Sequence, residues 1–260
     1  MRKANSTAFI KLCILVTLLF NQSISSDEIS LRTDYWCPYT CEDSVSQRGV
    51  LIDIVEHIFE QKGHTLNYRI IPWKRAIAMT RKGVFNGIIG SFYEDAPDFI
   101  FHKEPLAYSV NVFFVLDGSN WKYSGLESLN DVKFGIVLGY SYGVEIDKYI
   151  QSHGKQWVYV ASGDTPINDL VRLLKLNRID AVLENRWVMK HYLKKINMSN
   201  EIIEAGISSF DPVYVAFSPV KPLSHQYASE IDNVLIEMKK DGSWLRILKD
   251  YDLLPNQEPK

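Results

Sequence analysis

Along this chain the spacing of apolar residues switches repeatedly between the two periods of regular structure. In "RGVLIDIVEHIFEQKGH", Val50, Leu51, Ile54, Val55, Ile58 and Phe59 fall on one face at the helical spacing, and Gly63 closes the segment. "EISLRTD" before it and "TLNYRII" after it read as strands, Pro72 opens a second helix through "WKRAIAMTRKG", and "GIIGSF" is a buried strand. This β-α-β-α-β order favours a parallel sheet covered by helices. "YSVNVFFVLDG" is a longer β-rich run, after which the rhythm starts again. "KFGIVLG", "WVYVA" and "IDAVLE" are predicted strands, alternating with predicted helices in "YGVEIDKYIQSHG", "DTPINDLVRLLKLNR" and "RWVMKHYLKKI", the second of these capped by Asp164. One further strand, "DPVYVAFSP", precedes two helices in "SHQYASEIDNVLIEMKKDG" and "SWLRILKDY". The pattern therefore predicts two α/β units with no long linker, low-complexity tract or tandem repeat between them.

The first 25 residues stand apart from this pattern. Arg2, Lys3 and Lys11 precede the apolar run "LCILVTLLF", and small residues follow in "SISS", the three-part arrangement of a secretory signal with cleavage expected after Ser25. The run is well short of the roughly 20 residues that cross a bilayer. Cys13 is expected to leave with this segment, which makes Cys37 and Cys41, in "DYWCPYTCED", the remaining thiols in an oxidising compartment. A disulfide is the simplest reading of an even pair there. A redox motif, which has one residue fewer between its sulfurs, and half of a zinc site are the alternatives. In the chain-entropy model so short a ring contributes only about 2 kcal/mol, so its expected effect is local, fixing one loop.

Composition narrows the function. The 260 residues are 46% hydrophobic and 23% charged, as in a globular protein, and the formal charge of −2 becomes three charges more negative once the leader is removed. That balance and the lack of a basic run argue against nucleic acid as a partner. Fourteen Tyr and six Trp favour a site that holds a small molecule against rings. The sequence offers no metal-ligand cluster, phosphate loop or nucleophile–base pair, and it predicts no cofactor.

The segments "RTDYWCPY", "GVLIDIVEHIFEQKG", "IIPWKRAIAMTRKGVFNGIIGSFYEDAPDFIF", "EPLAYS", "IDAVLEN", "VYVAFSP" and "IEMKKDGSWLRILKDYDL" follow one another over nearly the whole chain after the leader. In this order and spacing they resemble the family 3 extracellular solute-binding proteins, periplasmic receptors of polar amino acid ABC importers. The resemblance implies a type II periplasmic binding fold: two α/β lobes joined by two crossing strands, with a ligand cleft between them. Lobe 1 would hold residues 26–115 and 212–260, lobe 2 residues 116–211, and "VNVFFVL" and "VYVAF" would cross. It also implies a periplasmic monomer, not an enzyme, that closes on a small polar ligand, amino-acid-like or cationic, and delivers it to an inner-membrane ABC permease. A cyclohexadienyl dehydratase-like enzyme, with Glu184, Glu94 and His102 as candidate acids or bases, and a soluble sensor acting on a membrane receptor are the alternatives on the same fold.

Residue by residue, the resemblance places Asp34 as the acid that receives an ammonium group, with Tyr35 and Trp36 beside it on a loop that the Cys37–Cys41 pair would preorganise. Trp73 would lie flat against the ligand and offer a cation–π contact. Gly90, Ser91 and Tyr93 would supply backbone and hydroxyl groups from the end of the third strand. In "GYSYG", Ser141 would meet a carboxylate near a helix N-terminus, and Glu184 or Asn185 would be a second ammonium-binding group. The arginine with which such receptors usually grip a carboxylate is missing: no arginine occurs between Arg81 and Arg172. Either Arg75 substitutes for it, or the ligand is not an ordinary α-amino acid.

Overall fold

The computed structural model describes residues 26–42, 47–163 and 165–253; the expected leader, Cys13 and the expected cap Asp164 lie outside these. Among the described residues there are nine strands and seven α-helices, most of them where the periodicities of the sequence place them. In the first half, strands β1 (Glu28–Thr33), β2 (Thr65–Ile70) and β3 (Gly87–Ser91) alternate with helices α1 (Val50–Gln61) and α2 (Trp73–Arg81). β1 lies between β2 and β3 and runs parallel to both. In the second half, β6 (Phe134–Val137), α3 (Val144–Trp157), β7 (Val158–Ala161), α4 (Pro166–Lys175), β8 (Ala181–Asn185) and α5 (Arg186–Lys195) repeat the rhythm, with β6 parallel to β7 and β8. Short β4 (Ile100–Phe101) precedes β5 (Ala107–Leu116), and α6 (Ser224–Asp241) and α7 (Ser243–Asp250) close the chain.

Two long strands join the halves. β5 pairs antiparallel with β9 (Ile202–Phe217) from Ala107↔Val213 to Leu116↔Ile202. Beyond that ladder β9 pairs with β3 and β4 of lobe 1, while β5 pairs with β8 of lobe 2. β9 is longer than "DPVYVAFSP" predicts: it starts at Ile202. Its first half, "IIEAGISSF", mixes Gly, Ser and Glu with scattered apolar residues, and its register shifts twice against β5, so no period of two survives in the sequence.

Each lobe has its own apolar core. A small cluster of Trp73, Ala76, Ile88 and Phe99 holds α2 on lobe 1, and there are three larger ones: one gathers Ile29, Leu31, Ile54, Phe59, Val215, Phe217, Ile231 and Leu235 around α1 and α6, and two, around Phe114, Leu170 and Leu193 and around Phe113, Phe134 and Tyr149, lie in lobe 2. Tyr140 packs against all three.

The cysteines are paired: Cys37 and Cys41 form a disulfide that closes a turn in which Trp36 N–H donates to Thr40 O at 2.9 Å. The turn is fastened to α1, because Val50 N–H donates to Pro38 O and Leu51 N–H to Tyr39 O, satisfying amides that a helix start otherwise leaves unpaired. Gly49 makes this approach possible. Its φ is +114°, and a Cβ there would lie 2.4 Å from Tyr39 O. Gly49→Ala is therefore expected to cost on the order of 2 kcal/mol in urea unfolding; unchanged stability would show that the loop rests on α1 less tightly than these contacts state.

Candidate functional site

The ends of β1, β3, β6 and β8 and the start of α2 converge on a cavity of about 30 Å³ between the lobes. Ligands in open α/β sheets sit at the carboxyl ends of strands, and this cavity obeys that rule. Lobe 1 and its loops contribute Asp34, Trp36, Trp73, Gly90, Phe92 and Asp95; lobe 2 and the crossing strand contribute Asn111, Tyr140, Ser141, Tyr142 and Glu184.

Local chemistry explains how each group is held. Asp34 follows the last residue of β1, and the disulfide-closed turn then brings Trp36 over Tyr39, their rings stacked at 4.1 Å and 17°. Tyr39 is anchored from below by its hydroxyl, which donates to Tyr108 O at 2.8 Å. The positive φ of Gly90 (+89°) sits at the point where the β3–β9 register shifts, turning the chain so that Phe92 and Asp95 reach the cavity. Asp95 is fixed by Phe92 N–H, which donates to its Oδ2 at 2.9 Å. On the far wall Tyr140 Oη donates to Asp34 Oδ2 at 2.7 Å, a direct bond between the lobes.

Three carboxyl groups thus share a cleft lined with rings, and burial weakens their acidity. Asp34 is raised to about 6 by burial, opposed by the Tyr140 hydroxyl. Asp95 is also raised to about 6 by burial, opposed by the Phe92 amide and Trp73. Glu184 is only 1% exposed and is raised to about 8, by burial first and by the Asp34 charge in addition, although Asn185 N–H donates to its Oε1 at 2.7 Å. Glu184 Oε2 has no hydrogen-bond partner among the described residues. A buried acceptor without a donor is costly, and a bound N–H group would remove that cost.

Six of the residues expected from the sequence line the cavity: Asp34, Trp36, Trp73, Gly90, Ser141 and Glu184. Five do not. Tyr35, next to Asp34, is 46% exposed, and Tyr93 is 56% exposed and packs on Phe101. Ser91 is buried with its hydroxyl donating to Phe92 O. Asn185 caps α5, accepting from Trp187 N–H and Val188 N–H, and donates to Ser109 Oγ at 2.8 Å. Arg75 is exposed. Two residues are about 200° round a helix, so with Trp73 turned to the cleft, Arg75 is turned away. Its expected role as a substitute carboxylate clamp therefore finds no geometry here.

Ser141 lines the cavity, but its hydroxyl donates to Asp147 Oδ2 at 2.6 Å. Of the other acid–base candidates, Glu94 is exposed, and neither it nor His102 lines the cavity. His102 is buried, with Nε2 accepting from Val215 N–H at 2.9 Å and its pKa lowered to about 4 by burial, a structural histidine under the sheet. Phe92, Asp95, Asn111, Tyr140 and Tyr142 also line the cavity and are not among the residues expected from the sequence.

No helix among the described residues is long and apolar enough to cross a membrane. No curated protein matches the chain. Among solved structures, an ancestral arginine-binding protein bound to arginine is similar at a TM-score of 0.70 and 22% identity, covering 88% of this chain and 99% of its own. An arginine transport system periplasmic binding protein from Legionella pneumophila is similar at 0.66 and 19%, covering 87% and 100%. The ancestral amino acid-binding protein AncCDT-1, a precursor of cyclohexadienyl dehydratase, is similar at 0.66 and 18%, covering 86% and 94%. At these identities the likeness concerns the fold. The profile of the bacterial extracellular solute-binding proteins, family 3, matches residues 30–253, nearly all of the described chain, and the protein belongs to that family.

Proposed function

We propose that this protein is a periplasmic receptor that closes its lobes on a small solute bearing a positive charge and presents it to an inner-membrane ABC importer. The observation that carries this reading is the cleft itself: Asp34, Asp95 and Glu184 face one cavity walled by Trp36, Trp73, Phe92, Tyr140 and Tyr142. Buried carboxyls need a counter-charge or a proton, and a cation on aromatic faces supplies the first. The bond from Tyr140 to Asp34 is one contact that parting of the lobes would break. A dehydratase reading is less well supported, because a carboxylate-bearing reactant would meet acids and no cationic side chain in this cavity.

A thermal-shift screen of the mature protein against amino acids, amines, sugars and aromatic acids tests this directly. A cation-bearing compound at 100 times its Kd should stabilise the fold by about 2.7 kcal/mol. Stabilisation by sugars or acids alone would refute the reading, and appearance of product during incubation would move the protein among the enzymes.

A further inference from the structure

The structure also bears on the remainder of the ligand, granted the receptor reading above. Among the described residues, no lysine, arginine or histidine lines the cavity. Three hydrogen-bond donors of the loop of residues 138–143 are already taken by carboxylates: Asp34 accepts from the Tyr140 hydroxyl at 2.7 Å, and Asp147 accepts from the Ser141 hydroxyl at 2.6 Å and from Tyr142 N–H at 2.9 Å. A second carboxylate placed there would compete with Asp147 for the same donors and be repelled by its charge. Asp211, on the crossing strand near Gly143, adds to this field together with Glu94. The cations of α2 lie elsewhere: the stem of Lys74 rests against Gly139 outside the cavity lining, and Arg75 is exposed.

The acids of the cavity show the opposite preference. Glu184 belongs to the cavity wall, and its buried Oε2 lacks a donor among the described residues. A group with N–H bonds satisfies it. A quaternary ammonium, which has none, leaves it unpaired. A cavity of about 30 Å³ suits an ammonium head, while the carbon skeleton behind it needs the lobes to part slightly.

We propose that the ligand of this cleft is a primary amine that carries no carboxylate, its ammonium N–H groups donated to Glu184 and Asp34 and its carbon chain held between Trp36 and Trp73. The receptor then discriminates by charge sign at two places: buried acids accept the head, and the Asp147 carboxylate closes the donors that an amino acid would need.

Calorimetry of the mature protein at pH 8 with matched pairs tests this: butane-1,4-diamine against ornithine, histamine against histidine and tyramine against tyrosine, with tetramethylammonium as a further probe. At least one amine should bind 100-fold or more tightly than its parent amino acid, and tetramethylammonium should not bind. An amino acid that binds as tightly as its amine, or tetramethylammonium that binds as well as the amines, would overturn the proposal while leaving the receptor reading in place. If no compound bearing a positive charge gives heat or raises the melting temperature, both fall together.

Discussion

Glu184→Gln is expected to weaken binding of a cationic ligand by 100-fold or more and, at the same time, to make the ligand-free protein more stable at pH 8. Both effects have one cause. The carboxyl is fully enclosed, is raised from its ordinary 4.5 to about 8, and leaves Oε2 unpaired among the described residues. Its folded-state pKa lies above its unfolded value, so below pH 4 both states hold the proton and nothing is lost. As pH rises from about 4 towards 8 the unfolded chain releases the proton and the folded chain keeps it, and stability falls. Each pKa unit is worth about 1.4 kcal/mol, so the carboxyl removes a few kcal/mol by pH 8. Glutamine carries no titrating proton and does not impose that loss, but it cannot neutralise an ammonium. Urea unfolding at pH 5 and pH 8 should show the variant gaining on the wild type only at the higher pH. A variant that is less stable at pH 8, or that binds like the wild type, would place Glu184 outside the site.

Affinity itself should depend steeply on pH. Asp34 and Asp95, raised to about 6, and Glu184, raised to about 8, are neutral or nearly so at pH 5 and become ionised towards pH 8. The Tyr140 and Tyr142 hydroxyls that face them stay protonated throughout, since burial pushes both well above their ordinary value. A cation binds the ionised acids and expels their protons, so the logarithm of affinity should climb by about one per pH unit for each proton released. Between pH 5 and pH 8 the gain should reach 100-fold or more. A flat profile would show that the acids do not meet the ligand's charge.

Much of the fold was legible because helices and strands here differ in period. α1 shows its buried face outright, β1 alternates apolar Ile29 and Leu31 with polar residues, and β3, β6 and β8 read as short, largely apolar runs. The first half of β9 was not, because its partner β5 and two register shifts hold it rather than any alternation of its own. The site divides in the same way. Asp34 and Glu184 stand at or near strand ends, where position alone marks them, and Trp73 opens a helix after Pro72. Asn111 lies within a strand, and Tyr140 and Tyr142 belong to a glycine-bounded loop whose path only the packed lobes define. Arg75 shows the converse error: adjacency in sequence placed it beside Trp73, while helical geometry turns it to solvent.

The most direct measurement is the carboxyl titration of Glu184 by ¹³C NMR, recorded without ligand and with saturating butane-1,4-diamine. The midpoint should lie near 8 without the amine and fall by at least two pH units with it. A midpoint near the ordinary glutamate value, or one that the bound amine does not move, would contradict a role for Glu184 in holding the ammonium.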